Sequence, residues 1–211
     1  MARLKRSAEI ISLELPFDID TIKQITLQTI ALSGSKDGGV RMFVTRGIGN
    51  FSCDPTTTGK SHLYIVMLGV TVWDNFPARL REEGAAAITS HVPLKMGFYA
   101  QVKSTDYLLN ALVDLEAHRN NADFGIWFDQ DGHLAESSTE NVVIVTQDGI
   151  LKYPTFAHML KGTGLLRACE LVKELIANGE LQRICQTDIT QHEVYESSEI
   201  IFLTSGSVLP V

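Results

Sequence analysis

Residues 101–112 read QVKSTDYLLNAL, and the interpretation of the whole chain starts from this stretch because it places one lysine, Lys103, before an amphipathic segment. A helix is predicted there, with an inward face formed by three leucines spaced i, i+4 and i+7: Leu108, Leu112 and Leu115. Residues that commonly cap helices precede them: Ser104, Thr105 and Asp106. A lysine at such a junction can be held rigidly with its amine in a cleft. A solvated surface lysine is the ordinary alternative, and this window alone favours it.

The composition is that of an ordinary globular protein and excludes several functional classes. The chain has 211 residues, 45% of them hydrophobic and 20% charged, which is enough to bury one large core or two small ones. A net charge of −7 and a pI near 5.3 argue against binding to nucleic acid or to an anionic membrane. The longest apolar run, residues 63–72, is too short to span a bilayer and is interrupted by Gly69.

The N-terminal residues and the cysteines indicate an intracellular compartment. The basic start, MARLKR, leads into no apolar core of the kind that a secretory signal requires. The cysteines are odd in number and lack metal-ligand spacing, which is typical of reduced thiols: Cys53, Cys169 and Cys185. Three histidines also lack ligand spacing, so we expect no metal: His91, His118 and His158. We therefore expect a cytoplasmic or organellar protein.

Hydrophobic periodicity predicts two helices and two strands in the first part of the chain. The first helix is expected over 2–13, and a second runs from a cap at Asp20 or Thr21 to Gly34. The second helix is expected to bury Ile22, Ile25, Thr29 and Leu32. Alternating residues predict a strand over 40–45 and a returning strand over 61–70.

The remaining sequence predicts more strands than helices. A turn at 129–132 indicates a hairpin, and further strands are expected at 85–90, 141–146, 183–186 and 199–203. Another amphipathic helix follows from the spacing of Leu165, Cys169, Val172 and Ile176.

Hairpins rather than strict βαβ alternation indicate an α+β (mixed α/β) fold. The pattern breaks after residue 72, which predicts a linker over 73–80 between a small N-terminal domain, 1–72, and a larger domain, 81–211. The chain begins on a predicted helix and stops directly after a predicted core strand. We therefore expect it to be truncated at both ends.

Two charged residues are candidates for chemistry on a carbonyl-bearing cofactor. Lys103 is the candidate imine former, since an amine held beside another cation or in an apolar pocket has a lowered pKa and becomes nucleophilic. Glu136 stands where a predicted strand gives way to a polar turn. A carboxylate fixed there can hold a pyridine nitrogen protonated. A solvent-exposed turn glutamate is the ordinary alternative.

Two small-residue loops are candidates for binding a phosphate group. Gly162, Thr163 and Gly164 precede a predicted helix, where backbone N–H groups and the helix dipole favour an anion. A simple helix-entry turn is the alternative, because a lone Gly-x-Gly is a weak signal. Ser207 lies in a loop after a predicted buried strand and can add a hydroxyl to the same site. An ordinary strand-end loop explains it equally well.

Taken together, these segments resemble the fold-type IV, class IV pyridoxal-phosphate aminotransferases, which include branched-chain and D-amino-acid aminotransferases and aminodeoxychorismate lyases. Residues 103–108, KSTDYL, are similar to the Schiff-base lysine segment of the family. ESSTENV from Glu136 resembles its Glu-Gly-x-x-x-Asn-Val stretch, which implies that Glu136 contacts the pyridine nitrogen. MLKGTG resembles the phosphate loop, and FLTSGSVLPV resembles the strand and turn that end in Pro-Val. The resemblance runs from Arg3 to Val211.

The resemblance also suggests roles for two arginines and a partner. ARLKRSA at 2–8 is similar to the first helix of the family pattern, which implies that Arg3 binds the cofactor phosphate. Arg41 matches a position near the substrate carboxylate in branched-chain-type members. An arginine turned inward on a half-buried strand needs an anion, and a structural ion pair is about as plausible. Members of the family are commonly homodimers, so a homodimer is expected.

Three departures from the family pattern bear on activity. Met1 falls inside the first helix of the pattern, so we expect the small domain to be incomplete. The family continues past the Pro-Val at the end of this chain. Thr163, Gly164 and Leu165 stand where Ile-Thr-Arg is usual, so the threonine hydroxyl is displaced or lost.

The resemblance implies a pyridoxal 5'-phosphate enzyme that moves an amino group between an amino acid and a 2-oxo acid. An aminodeoxychorismate-type lyase, which eliminates pyruvate, is the first alternative. A catalytically impaired, truncated member of the family is the second.

Overall fold

A computed structural model describes residues 1–69, 80, 82–204 and 208–210, the last three by their backbone. The chain divides into two units, Met1–Pro77 and Ala78–Val211. The linker predicted over 73–80 lies, apart from Leu80, outside the described residues. The domain boundaries after residue 72 and before residue 81 therefore remain a prediction.

The first unit contains two helices and a two-stranded sheet. Its elements are α1 (Ala2–Ile10), α2 (Ile19–Ser33), β1 (Gly39–Thr45), a 3-10 turn (Pro55–Thr57) and β2 (His62–Leu68). The two strands pair antiparallel, with Gly39 opposite Leu68 and Thr45 opposite His62. The predicted strand and its returning partner are therefore confirmed.

Helix α2 differs from the prediction at its start and in its buried face. Asp18, not Asp20 or Thr21, caps the helix, because its carboxylate accepts a 2.8 Å hydrogen bond from the Thr21 amide. Gly34 ends the helix in the left-handed conformation, as predicted. Leu32 is 87% exposed instead of buried. The helix packs through its middle, where Thr26 contacts Met42 of β1, and Leu32 in the last turn lies beyond this contact.

The second unit contains four helices and eight strands among the described residues. The elements in chain order are β3 (Ala87–Thr89), α3 (Phe98–Gln101), α4 (Leu108–Arg119), β4 (Phe124–Phe128), β5 (Leu134–Ser137), β6 (Asn141–Val145), β7 (Ile150–Tyr153), α5 (Thr163–Ala177), β8 (Arg183–Gln186), α6 (Gln191–Tyr195), β9 (Glu199–Leu203) and β10 (Val208–Pro210). In the part of the chain that is described, no helix has the length and apolarity that crossing a bilayer requires.

One mixed sheet organises the second unit. Its strands lie in the order β10–β9–β6–β5–β4–β3, and β7 joins β6 to β8. The pairs β3–β4 and β7–β8 are parallel and the other pairs are antiparallel. Every residue of β6 is buried, which explains why its sequence is a continuous β-branched run rather than an alternating one. The mixed α/β fold is confirmed.

Helix α5 covers β6 and β7 with the face that its spacing predicts. Leu165 and Val172 are buried in a cluster with Val143, Val145 and other strand residues, and Cys169 and Ile176 pack against the same cluster. The helix starts at Thr163, two residues before the predicted start. This packing fixes the N-terminus of α5 relative to the strands that precede it.

Helix α4 packs with a face that was not predicted. Its buried residues are Asn110, Val113 and Ala117, whereas the leucines predicted to face inward are exposed: Leu108, Leu112 and Leu115. The reason lies in β4, where Gly125 has no side chain. A Cβ at Gly125 would lie 2.5 Å from Val113 Cγ1, so the small face of the helix is the one that approaches the strand closely.

Candidate active site

A cleft in the second unit collects residues from several segments: the loop before α3, α3 with the Lys103 segment, α4, β5 with the turn after it, and the loop before α5. It holds about 370 Å³ of space, part of it open to solvent. Its polar and aromatic lining includes Lys95, Tyr99, Lys103, Tyr107, Asn110 and Glu136. The structure therefore brings together the two residues that the sequence marks for chemistry, Lys103 and Glu136.

Lys103 lies in the short connection between α3 and α4. It is exposed, and its ammonium is 4.9 Å from the centre of the Tyr107 ring, which is within cation–π range. Ser104, Thr105 and Asp106 do not cap α4, because Tyr107 occupies the cap position without a side-chain bond. Instead, the Ser104 hydroxyl accepts a 3.2 Å hydrogen bond from the Asp106 amide and shapes the loop around the lysine.

Glu136 is a buried carboxylate, not an exposed turn residue. Its side chain projects from β5, and its Oε2 accepts a 2.9 Å hydrogen bond from the Leu160 amide. Burial raises the pKa of Glu136 to about 7, with Glu140 adding to the rise, while the Leu160 amide, Lys103 and Lys95 oppose it. Glu136 is thus an acid that can change its charge near neutral pH. The positive charges of Lys103 and Lys95 favour its ionised form.

Asn141 binds the other backbone group of Leu160, its carbonyl. It is the cross-strand partner of Glu136, and its amide donates a 2.8 Å hydrogen bond to the Leu160 carbonyl. Its Oδ1 lies against Gly162, where a Cβ would approach to 1.9 Å. One pair of facing residues therefore holds both the N–H and the C=O of Leu160, three residues before α5 begins at Thr163.

The N-terminus of α5 offers backbone donors to an anion. Gly162 is the cap residue and provides no side chain to bond the amides of the first turn. Thr163 is the first residue of the helix and is exposed, and Gly164 follows in the same turn. Such a terminus suits a phosphate group through its amides and dipole. The displaced threonine hydroxyl is not needed for this contact.

Two residues of the cleft were missed by the sequence analysis. Lys95 is half-buried, and its ammonium donates to the Asp106 carbonyl at 2.9 Å and to Asn110 Oδ1. Asn110 is buried and donates in turn to the Ser138 carbonyl. A polar residue between apolar positions of a helix was the available signal for Asn110. Nothing local marked Lys95, since its partners come from a later segment.

The remaining candidates lie elsewhere or are not described. Arg3 is a half-buried residue of α1, and Arg41 is exposed on β1, both in the first unit. The role of Arg41 toward a substrate therefore remains a prediction. Ser207 lies outside the described residues.

Asp129, Asp131 and His133 are the only three potential metal ligands that gather in the described part of the chain, with ligand atoms within 4.8 Å of one another. Asp129 Oδ1 accepts hydrogen bonds from the amides of Asp131 and His133 at 2.9 and 2.8 Å. The group is therefore explained by the tight turn between β4 and β5, where an aspartate commonly binds the following amides.

Comparison with known proteins points to one family over the whole length. The family model described as amino-transferase class IV matches residues 1–211. The D-amino-acid transaminase, chloroplastic, of Arabidopsis thaliana is 34% identical over 205 residues, which cover 97% of this chain and 53% of that protein. The chain thus spans about half the length of this curated relative.

Solved structures share the fold at low sequence identity. A branched-chain amino acid aminotransferase from T.th., complexed with N-(5'-phosphopyridoxyl)-L-glutamate, superposes with a TM-score of 0.84 at 20% identity, covering 100% of this chain and 67% of that one. A putative 4-amino-4-deoxychorismate lyase from Legionella pneumophila superposes with a TM-score of 0.81 at 17% identity, covering 99% and 73%.

Proposed function

Because this chain belongs to the class IV aminotransferase family, we propose that it is a pyridoxal-phosphate-dependent transaminase, or the larger part of one. Its reaction moves an amino group from an amino acid to a 2-oxo acid. The observation that carries the proposal is the cleft in which Lys103 and the buried carboxylate of Glu136 face the same space.

The residues present fit pyridoxal phosphate at three of its functional groups. The exposed amine of Lys103 suits the aldehyde, and buried Glu136 suits the ring nitrogen. The uncapped first turn of α5, at Gly162–Gly164, suits the phosphate. When bound, the cofactor supplies an aldehyde that combines with amines and a ring that withdraws electrons from the substrate α-carbon.

The chain's own residues then have distinct tasks. Lys103 would take the proton from the substrate α-carbon and deliver it to the former aldehyde carbon of the cofactor, on the other side of the nitrogen, so it would act first as base and then as acid. Glu136, when ionised, holds a proton on the ring nitrogen, and the Leu160 amide orients its carboxylate. Asn141 fixes the Leu160 carbonyl and so keeps the loop before α5 in place.

Further groups complete the proposed site by analogy with the family. We assign Arg3 and Ser207 to the cofactor phosphate and Arg41 to a substrate carboxylate. We also propose a homodimer and an intracellular, cytoplasmic or organellar location, supported by the three cysteines that are free thiols: Cys53, Cys169 and Cys185. Size-exclusion chromatography with light scattering tests the dimer, because a monomeric mass contradicts it.

The deciding experiment is covalent trapping on the cofactor-binding lysine. The purified chain is mixed with pyridoxal phosphate and reduced with borohydride, and the modified peptide is identified by mass spectrometry. At neutral pH we expect an absorbance band from cofactor bound to the lysine, and after reduction we expect an adduct on Lys103. Both are lost in Lys103→Ala. Lys173→Ala, which removes an exposed lysine of α5, serves as the matched control and keeps both. An adduct spread over surface lysines, or an unchanged band in Lys103→Ala, contradicts the assignment.

Assays on the trapping-competent protein then separate the candidate reactions. D-alanine and L-leucine are the first amino donors to test, since relatives are named as D-amino-acid and branched-chain aminotransferases. A transaminase consumes a 2-oxo acid in proportion to the amino acid, whereas a lyase releases pyruvate without one. A chain that binds the cofactor on Lys103 but turns over neither is an impaired member of the family.

A further inference from the structure

Lys95 is a second lysine of the cleft, and its ammonium group is fixed by the segment that follows Lys103. It donates to the Asp106 carbonyl at 2.9 Å and to Asn110 Oδ1, and it lies 5.4 Å from the centre of the Tyr107 ring. Both lysines thus contact the same aromatic ring, whose negative face offsets the repulsion between the two cations.

The contact with Asn110 extends the tether to the turn after Glu136. Asn110 is buried on the inner face of α4, and its amide donates to the carbonyl of Ser138. Lys95 and Asn110 together form a polar bridge from the Lys103 segment to the residues next to Glu136. A change in this bridge alters how the amine and the carboxylate face each other.

The backbone around Lys95 is itself well anchored. The Trp127 indole donates to the Val92 carbonyl at 2.8 Å, and the Glu116 carboxylate of α4 accepts from the His91 amide at 3.0 Å. Val92 and Leu94 pack against the buried cluster around Trp127. The lysine therefore extends from a fixed loop to fixed acceptors, unlike a solvated surface lysine that samples many rotamers.

Lys95 also differs from Lys103 in what happens to its charge. Lys103 gives up and regains protons in the proposed reaction, so its charge beside Glu136 is not constant. The groups that act on Glu136 are the Leu160 amide, Lys103 and Lys95, which favour its ionised form, and Glu140, which opposes it. Among these, Lys95 is a cation that takes no part in the chemistry.

We propose that Lys95 is a positioning residue of this site. It holds the Lys103 segment against the turn after Glu136 through Asn110, and its ammonium lines the cleft that Glu136 faces, so a cation stays in the cleft with this carboxylate while Lys103 reacts. The catalytic consequence of this role rests on the function proposed above. The effect of Lys95 on Glu136 does not require the cofactor, so it is tested in the cofactor-free chain.

The test is the titration of Glu136 in cofactor-free protein, followed by ¹³C NMR of labelled glutamate carboxyls and assigned with Glu136→Gln. Lys95→Gln removes the charge and keeps a hydrogen-bond donor. Removing one of two neighbouring cations raises the Glu136 midpoint from about 7 by about one pH unit, which lowers its ionised fraction at pH 7 about fivefold. Lys95→Arg restores the midpoint, and Lys173→Gln, a control on exposed α5 surface, leaves it unchanged.

The second readout is the yield of the borohydride-trapped adduct on Lys103 at limiting pyridoxal phosphate. It falls in Lys95→Gln at pH 7 and recovers in Lys95→Arg. An unchanged midpoint in Lys95→Gln overturns the inference, even if the wild-type chain traps the cofactor normally. If Lys95→Gln shifts the Glu136 midpoint but the wild-type chain forms no adduct, the inference is supported and the proposed function is refuted. The two hypotheses therefore fail on different measurements.

Discussion

Glu136 is ionised at neutral pH only against the effect of its own burial. Its pKa is about 7 in the folded chain and near 4.5 when solvated, so the folded chain binds the proton more tightly than the unfolded chain does. The contribution of Glu136 to stability is therefore fully present below about pH 4.5 and is lost as the pH rises from there through 7. The difference corresponds to about 3 kcal/mol at alkaline pH.

Replacing this carboxylate is expected to stabilise the cofactor-free chain. Glu136→Gln keeps an oxygen for the Leu160 amide and removes the buried charge, so we expect the free energy of unfolding to rise by about 2 kcal/mol at pH 8 and to change little at pH 4.5. Urea unfolding at both pH values measures this. Glu174→Gln, in an exposed position on α5, is the control. An equal effect at both pH values contradicts the buried-charge explanation.

Gly162 is required by its neighbour, not by its own backbone conformation. Its φ is −69°, which any residue can adopt, but a Cβ there meets Asn141 Oδ1 at 1.9 Å. We expect Gly162→Ala to cost about 1–3 kcal/mol in unfolding free energy, through displacement of Asn141 or of the loop.

A double-mutant cycle with Asn141→Ala checks this explanation. The double variant is expected to be more stable than the sum of the single effects predicts, with a coupling of about 1 kcal/mol. Strict additivity in chemical unfolding excludes the steric contact as the cause.

For single residues, the sequence predicts a role where the flanking residues form a recognisable segment. Lys103 and Glu136 were identified because their flanking residues form recognisable segments. The burial of Glu136 was not predictable, since it depends on β6 and on the loop at Leu160. Lys95 escaped notice because its acceptor at Asp106 is a backbone carbonyl, which every residue possesses.

Helix α4 illustrates why amphipathic spacing alone can identify a helix and still misassign its face. Its sequence contains two apolar stripes, and the larger leucines suggested the wrong one. The strand beneath it has Gly125, so close approach favours the stripe with Val113 and Ala117. In α5 the predicted stripe is the buried one, so the prediction is confirmed there, although Leu171 and Leu175 form an exposed apolar pair on another face.

Two substitutions in α4 separate these faces. Val113 is fully buried, so Val113→Ala is expected to lower the free energy of unfolding by about 2 kcal/mol. Leu108 is 67% exposed, and Leu108→Gln is expected to change it by no more than about 0.5 kcal/mol. Urea unfolding at a protein concentration that keeps the chain monomeric measures both. If Leu108→Gln lowers the free energy of unfolding more than Val113→Ala does, the leucine face is the packed one.

At the scale of the whole molecule, the two sheets differ in how they protect their strands. β6 is buried along its length and pairs with β5, β7 and β9, whereas β1 and β2 pair with each other alone among the described strands. A two-stranded sheet is marginal in water, so local opening is easier there.

Hydrogen exchange measures this difference directly. Amides of β6 are expected to exchange at least about tenfold more slowly than those of β2, which is exposed on alternate residues. Mass spectrometry of peptides covering 141–145 and 62–68 gives the comparison within one sample. Equal protection of both peptides shows that β2 is covered by something beyond its partner strand.

The hydrogen bonds of Glu136 and Asn141 to Leu160 affect how this chain tolerates insertions and deletions. The two residues face each other across β5 and β6 and bind the N–H and the C=O of one residue, so the ring end and the phosphate end of the proposed site are both held at Leu160. Side chains in the intervening turn can vary, but its length cannot. One inserted residue shifts the register and turns one of the two partners to the other side of the sheet. Insertions and deletions between 137 and 140 are thus the lesions that such a protein cannot accommodate, however conservative the residues that they add or remove.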